Sequence, residues 1–273
     1  CTGDGDIAAW AGAETETADS LQPMSLHFRI AYLKPDFEMR KKCAAVLERI
    51  HKQGKLDLYA GPYPATFSGR DVYFNATRFP GNNTNPNDWT NAEIQGRQDA
   101  WTMFEAWQEQ LTEFKDAYFM TSGPVAGARE SRRIVGDYVL TGDDVRGGHR
   151  QDDVIVLGAW RLDRHPPKQA GYHEIPWTPP YDIPYRTLLP RTIQNLLVAG
   201  RCHSATSEAL ASSRVTATAM GMGQAAGTAA GISISKGVEP REISITALQD
   251  RLISGGAILE APESDIEVGN PDW

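Results

Sequence analysis

Apolar residues occupy every second position from Leu26 to Tyr32, and this period of two predicts a half-buried strand. Similar short runs predict further strands at residues 71–79, 133–140 and 153–160. A Pro-Gly-Asn-Asn sequence at residues 80–83 follows the run at 71–79 and supplies turn chemistry. The chain therefore contains a substantial β component.

Two helices are predicted between these strands. A charged amphipathic segment opens at Asp36 and stops near Gly54. Thr90 and Glu93 have the spacing of a capping box, in which the two side chains satisfy free backbone groups. They predict the start of a second helix, rich in Trp and Phe, that continues to about Tyr118.

The carboxy-terminal half has the pattern of a nucleotide-binding layer. Residues 195–200 form a short apolar run, which is typical of a buried parallel strand. A polar loop follows, and then a small-residue helix from about residue 213 to 236, closed by Gly237. Strand, turn and helix in this order predict an α/β layer that binds its ligand at the turn. Residues 141–151 are a polar loop, and the proline-rich residues 166–190 predict an irregular connection.

Glycine spacing supplies no complete dinucleotide site. Gly221-x-Gly223-x-x-Ala226 is similar to a dinucleotide fingerprint, but it lies inside the predicted helix rather than at a strand-to-helix turn. Gly223, Gly227 and Gly231 lie on one helix face instead, which favours close packing of another backbone. The sequence contains no Gly-x-Gly-x-x-Gly.

Composition narrows the class of protein. The 273 residues are 41% hydrophobic and 23% charged, as in a globular protein with one large or two modest domains. The net charge of −8 and the scattered basic residues argue against nucleic acid, and no run approaches the roughly 18 apolar residues of a membrane span. The 3 cysteines match neither a disulfide framework nor a zinc site. We expect a cytoplasmic protein with a small-molecule partner, no bound metal and no membrane.

The loop after the apolar run is the first candidate site. Residues 199–210 place charged and polar side chains where open α/β sheets bind ligands. The next helix begins around Ser212-Ser213-Arg214, and its free N–H groups can stabilise an anion or an electron-rich carbonyl. An ordinary capped helix after an ordinary loop explains these residues equally well.

Two further features suggest substrate chemistry. Two arginines of the cluster from Arg129 to Arg133 can form a carboxylate-binding fork, although a solvated charged turn has the same pattern. His165 follows a predicted strand and precedes a Pro-Pro pair, so it can exchange a proton near neutral pH. The alternative is a histidine that is merely hydrogen-bonded.

Four blocks of the chain, in order, resemble the FAD-dependent oxidoreductases of glutathione-reductase-like fold. They are residues 2–9, 127–141, 183–188 and 195–231. The resemblance implies an α/β and α+β protein, with a partial Rossmann-like FAD-binding layer and an inserted mixed α+β substrate domain. It also implies that hydride passes between the substrate and flavin N5.

The resemblance implies a domain order as well. Residues 1–20 and 187–260 form the partial FAD-binding domain, residues 21–186 form the inserted substrate or cap domain, and residues 261–273 form a flexible tail. The family's amino-terminal strand, Gly-x-Gly-x-x-Gly turn and first helix are missing from the sequence. The chain is therefore predicted to be a carboxy-terminal portion that needs a completing segment or a second copy, which leaves FAD binding by the chain itself open.

The resemblance also implies roles for individual residues. Those implied to contact FAD are Thr2, Gly3, Asp4, Gly5, Gly200, Arg201, Cys202, Arg214, Val215, Thr216 and Ala217. Those implied to face the substrate are Arg129, Arg132, His165, Tyr185 and Arg186. In the mechanism we expect, Arg129 or Arg132 binds an anionic substrate, and His165 or Tyr185 handles a proton.

Two other classes of protein compete with this interpretation. The first is a non-catalytic ligand-binding or structural fragment that needs another segment to complete the FAD site. The second is a carbohydrate-active enzyme, since Trp101, Trp107, Trp160 and Trp177 can stack on sugars. No carboxylate pair has the distinctive setting that glycoside hydrolysis requires, which disfavours the second class.

Overall fold

The computed structural model describes residues 1–33, 38–68, 70–171 and 175–261. The chain folds as two compact units. The first comprises Cys1–Asp19, Arg129–Arg164 and the described residues from Ile175 onward, and the second comprises Ser20–Ala128 and residues 165–171. The predicted helix start at Asp36 and nearly all of the predicted tail lie outside the described residues.

The described chain is a mixed α/β fold with small antiparallel sheets. Its helices, in chain order, are α1 Asp6–Trp10, α2 Met39–Lys52, α3 Pro86–Gln110, α4 Gly142–Gly147, α5 Ser207–Ser213, α6 Thr216–Lys236 and α7 Ile245–Ser254. Its strands are β1 Thr15–Glu16, β2 Phe28–Ala31, β3 Tyr59–Ser68, β4 Asp71–Thr77, β5 Tyr118–Ser122, β6 Arg133–Ile134, β7 Val154–Gly158 and β8 Tyr181–Pro184. Among the helices of the described residues, none combines the length and the apolar character of a membrane span.

The second unit is a four-stranded antiparallel sheet, in the order β3-β4-β2-β5, that packs against α2 and α3. Phe28 pairs with Phe74 across β2 and β4, and their rings stack with centroids 5.6 Å apart. Trp107 of α3 packs on Phe74 with ring centroids 4.8 Å apart, and its indole N–H donates to the Cys43 carbonyl at 3.1 Å. The core therefore buries large aromatic area while the indole nitrogen keeps a hydrogen bond.

Helix α3 begins earlier than its sequence predicts. Asn85 caps its first turn with a side-chain hydrogen bond, and Pro86 occupies the first helical position, where a missing N–H costs nothing. The predicted capping box is wrong, because Thr90 lies inside the helix and its hydroxyl donates to the Pro86 carbonyl at 2.8 Å. The helix ends at Gln110 rather than near Tyr118.

In the first unit, the antiparallel pair β7–β8 packs with α6 and α7 around one hydrophobic core. Fully buried members of this core include Leu140, Tyr181, Ile183, Met222 and Leu248. A smaller cluster forms beside the β1–β6 pair from Ala8, Ala13, Ile134, Val198 and Cys202. This smaller cluster contains Cys202 and packs against Cys1, so it supports the two turns that carry the candidate cofactor residues.

Several predicted elements differ in the structure. The predicted strand at residues 133–140 is reduced to β6, and the polar loop at 141–151 contains α4, which Thr141 and Asp144 cap reciprocally. The irregular region at 166–190 includes β8. Strand β3 was not predicted, because Pro62 and Pro64 interrupt the pattern; an edge strand tolerates prolines that a central strand cannot.

The nucleotide-binding pattern of the carboxy-terminal half also needs correction. Residues 195–200 do not form a strand, and Asn195 has a positive φ of 56°. The predicted small-residue helix begins at Thr216 rather than near residue 213, and the preceding loop contains the separate helix α5. Gly237 ends α6 in the left-handed conformation, as predicted.

A buried carboxyl group in α3 makes stability depend on pH. Gln95 donates to Asp99 Oδ1 at 2.8 Å. Burial is the main cause that raises the pKa of Asp99 to about 6; the Gln95 hydrogen bond opposes the rise and the charge of Asp57 adds to it. The charged form therefore destabilises the fold above about pH 6, and this penalty fades as the pH falls toward the unfolded-state pKa of about 4.

We expect Asp99→Asn to raise the free energy of unfolding by up to about 3 kcal/mol at about pH 8, and by much less near pH 4. Urea unfolding at the two pH values measures the difference. The matched control is Asp116→Asn at an exposed carboxyl of the same unit, expected to change stability by less than about 0.5 kcal/mol. An Asp99→Asn effect of equal size at both pH values would contradict the prediction.

Candidate functional site

Two sequence-distant turns meet in the first unit. The amino group of Cys1 donates to the Leu197 carbonyl at 2.8 Å, and the Ala199 amide donates to the Cys1 carbonyl at 2.9 Å. This is the hydrogen-bond pattern of a parallel pair, although it does not extend into a ladder. As a result, the turn from Thr2 to Gly5 lies against the turn that begins at Gly200.

Glycines permit this close approach. Gly3 and Gly5 both have φ of 71°, and Gly200 has φ of 82°, in the left-handed region that disfavours a side chain. A Cβ atom on Gly200 would lie 2.9 Å from Thr2 Oγ1, and one on Gly5 would lie 3.4 Å from Cys202 Cβ. A Cβ on Gly3 would meet no described atom within 4 Å, so the backbone is open to a ligand there.

Ion pairs tie the two turns together and anchor α1. Arg201 forms a salt bridge with Asp4, so the cationic residue of one turn holds the acidic residue of the other. Arg132 forms a second salt bridge with Asp6 at the start of α1, at 3.0 Å. Because these pairs are partly exposed, each contributes little stability, about 0–1 kcal/mol, and their main effect is to orient the turns.

The residues behind the second turn are buried and neutral. Burial raises the pKa of the Cys202 thiol to about 11, and burial lowers the pKa of His203 to about 4. His203 Nδ1 lies 2.8 Å from the Gly200 carbonyl, and Nε2 lies 3.3 Å from Ser213 Oγ. These two residues therefore support the shape of the turn and carry no charge near neutral pH.

The start of α6 supplies a second feature suited to an electron-rich ligand. Val215 is its N-cap, no side chain caps it, and Thr216 and Ala217 are exposed. The first backbone N–H groups of this 21-residue helix are thus available, at the positive end of its dipole. Arg214 just before them is held by Asp163, whose carbonyl accepts from its guanidinium at 3.0 Å.

The arginine cluster is largely committed to ion pairs. Arg133 is buried and donates to Glu130 at 2.7 Å and to Glu16 at 3.1 Å. Arg132 pairs with Asp6, and Arg129 is buried. An anionic substrate would therefore bind Arg132 either by displacing the Asp6 carboxylate or by sharing the guanidinium group with it.

Two other residues implied to face the substrate have structural partners. Tyr185 is buried in the core, its hydroxyl donates to the Pro240 carbonyl at 2.9 Å, and burial raises its pKa. Arg186 binds both oxygens of Asp153 at 3.0 Å and lies over the Tyr138 ring. These contacts favour a structural role for Tyr185, whereas the half-exposed Arg186 can still reach a ligand.

His165 belongs to a buried polar cluster of the second unit. Its backbone N–H donates to Gln22 Oε1 at 3.1 Å, and its Nδ1 lies 3.2 Å from Nη2 of Arg78. Arg78 also donates to the Gln169 carbonyl. Arg78 and Gln22 carry no signal in the sequence, because neither belongs to a motif and only tertiary packing buries them.

The exposure of four tryptophans and the lining of a cleft bear on the alternative of a carbohydrate-active enzyme. Trp107 is fully buried and cannot stack on a sugar, whereas Trp101, Trp160 and Trp177 are partly exposed. A cleft of about 310 Å³ in the second unit is lined by residues that include Phe79, Asp88 and Gln95, none of them a predicted site residue. Neither observation favours a glycoside-cleaving site.

Comparison with known proteins identifies the class. A family model described as FAD dependent oxidoreductase matches residues 1–252. The chain belongs to this family of flavoprotein oxidoreductases, whose cofactor is FAD. No curated protein and no solved structure matches the chain.

The geometry of the second turn leads to a test of stability. We expect Gly200→Ala to lower the free energy of unfolding by about 1–3 kcal/mol, because alanine is strained at positive φ and its methyl group meets Thr2. Gly227→Ala is the control: it lies inside α6, where an added Cβ meets no described atom within 4 Å, and it should stabilise by about 0.5–1 kcal/mol. Urea unfolding gives both values, and a neutral Gly200→Ala would contradict the turn geometry.

Proposed function

We propose that this protein transfers hydride between flavin N5 and a small organic substrate, preferentially an anionic one. The observation that carries the proposal is the meeting of the turns at Thr2–Gly5 and Gly200–Cys202 in a chain of the FAD-dependent oxidoreductase family. FAD, when bound, supplies the acceptor or donor of hydride. The chain supplies binding, orientation and electrostatics.

The residues of the first unit fit the cofactor. The open backbone at Gly3 and the Asp4–Arg201 pair would hold its polar ribose and phosphate portion. The uncapped start of α6 at Thr216 would stabilise an electron-rich carbonyl edge of the flavin ring. Val215, Ala217 and Arg214 would then line the ring, and the buried Cys202 would support the turn behind it. On the ground of the family match, we also propose that this unit is part of a Rossmann-like FAD-binding layer.

The residues proposed to bind the substrate are chosen for their positive charge. Arg129 and Arg132 offer guanidinium groups to an anion, and Arg186 offers a third. Tyr185 is not proposed to contact the reacting oxygen, since its hydroxyl already donates to the Pro240 carbonyl within the core. We assign Tyr185 to support of the fold instead.

Titration of the full chain with FAD tests the cofactor proposal. We expect flavin fluorescence to be quenched and the absorbance bands to shift on binding. Asp4→Asn should weaken FAD binding by roughly tenfold or more, because it removes a charged hydrogen-bond partner from the turn. The control is Asp143→Asn, whose exposed carboxylate also pairs with an arginine in the same unit.

Equal FAD affinity of Asp4→Asn and the unsubstituted chain would overturn the assignment of the turn. Absence of any flavin binding by the full chain would instead favour the non-catalytic module. Because Asp143→Asn removes the same charge elsewhere in the unit, its unchanged FAD affinity would show that a loss of affinity in Asp4→Asn is not a general effect of charge.

A second test addresses the substrate side. In anaerobic flavin reduction with a panel of small hydroxy acids, Arg132→Met should slow reduction by about tenfold or more while flavin content stays near that of the unsubstituted protein, because it removes a guanidinium proposed to bind the anion. Arg146→Met is the control, since Arg146 is exposed and pairs with Asp143 and Glu208 in the same unit. Equal loss of flavin and of reduction rate in Arg132→Met would indicate a folding role.

A further inference from the structure

The two edges of the four-stranded sheet in the second unit differ in character. Edge strand β3 contains Pro62 and Pro64, and prolines on an edge strand block the addition of a further strand. The opposite edge strand, β5, has the sequence Tyr-Phe-Met-Thr-Ser, with neither a proline nor a charged residue. Among the described strands, β5 pairs with β2 alone. Its outward N–H and C=O groups therefore form a template for another strand.

Large apolar side chains are exposed around β5. Tyr32, Trp101, Tyr118 and Met120 are between 46% and 56% exposed. The rings of Tyr32 and Tyr118 lie with their centroids 6.2 Å apart, and those of Trp101 and Phe119 lie 5.4 Å apart. Because successive residues of a strand point to opposite faces, these two pairs lie on opposite faces of the sheet. A strand added to β5 would thus cover aromatic surface on both faces.

Charge indicates which strand is complementary to this edge. The chain has a net charge of −8, so two copies repel each other over much of their surface. The stretch from residue 117 to residue 128, which includes β5, contains no charged residue. Two copies that meet at β5 bring no like charges from this stretch together, whereas a charged peptide would find no opposite charge in it. In charge and in polarity, the edge is therefore complementary to itself.

We infer that two copies of the chain associate through β5, with this strand of one copy paired antiparallel to the same strand of the other. A two-fold axis normal to the sheet produces the antiparallel order, and two-fold dimers are the commonest soluble oligomers. The two sheets then become one continuous sheet, whose outer edges are the proline-containing β3 strands. The pairing satisfies outward backbone groups of β5 and removes Tyr118 and Met120 from water in both copies.

Sedimentation velocity of the full chain over a series of concentrations tests the inference. We expect a reversible equilibrium between monomer and dimer in the unsubstituted protein. Met120→Lys should weaken the association by about tenfold or more, because it places a lysine of each copy at the shared edge and removes apolar surface. Met220→Lys is the matched control, which introduces the same charge at an exposed methionine of α6 in the first unit and should leave the association unchanged.

Hydrogen exchange of the unsubstituted protein gives a second measurement that needs no variant. The amides of residues 118–122 should exchange more slowly in the dimer than in the monomer. A chain that stays monomeric throughout the series would overturn the inference. So would equal exchange of these amides in monomer and dimer, or a dimer that Met220→Lys dissociates and Met120→Lys does not. Circular dichroism reports whether each variant folds; if Met120→Lys does not, hydrogen exchange decides.

Discussion

The pairing of Cys1 with Leu197 and Ala199 is the contact on which the candidate cofactor site depends. It brings together two glycine turns that are almost 200 residues apart in the chain. The entropic cost of closing a long loop grows only slowly with its length, so two backbone hydrogen bonds and the buried cluster around Val198 and Cys202 can hold such a junction. Without this junction, the Asp4–Arg201 pair and the open backbone at Gly3 would not share one surface.

Local periodicity was enough to predict the elements with a clear one-sided pattern. The runs at 26–32, 71–79 and 153–160 correspond to β2, β4 and β7, and Gly237 ends α6 as its sequence indicates. The missed strands have no such pattern, because β3 contains prolines and β5 is a largely exposed edge. The break between α5 and α6 is likewise a tertiary feature, since Arg214 is drawn to Asp163 at that point.

The candidate site shows the same limit of sequence reasoning. Motif resemblance selected turn residues that the structure brings together around Gly5 and Gly200. It also selected Tyr185, whose hydroxyl is buried against a carbonyl, and it passed over Arg78, which has no sequence signal. Whether a polar residue faces a ligand or supports the fold depends on the partners that tertiary structure provides, and spacing along the chain does not encode those partners.

The two most buried histidines of the described chain show how tertiary partners decide the chemistry of a side chain. His203 faces a carbonyl oxygen at Gly200, which can only accept, so its Nδ1 carries the proton and its Nε2 accepts from Ser213. His165 faces the guanidinium of Arg78, which can only donate, so its Nδ1 accepts. One residue type thus adopts opposite tautomers because one neighbour lacks a donor and the other lacks an acceptor. A single hydrogen-bond partner therefore decides which ring nitrogen carries the proton.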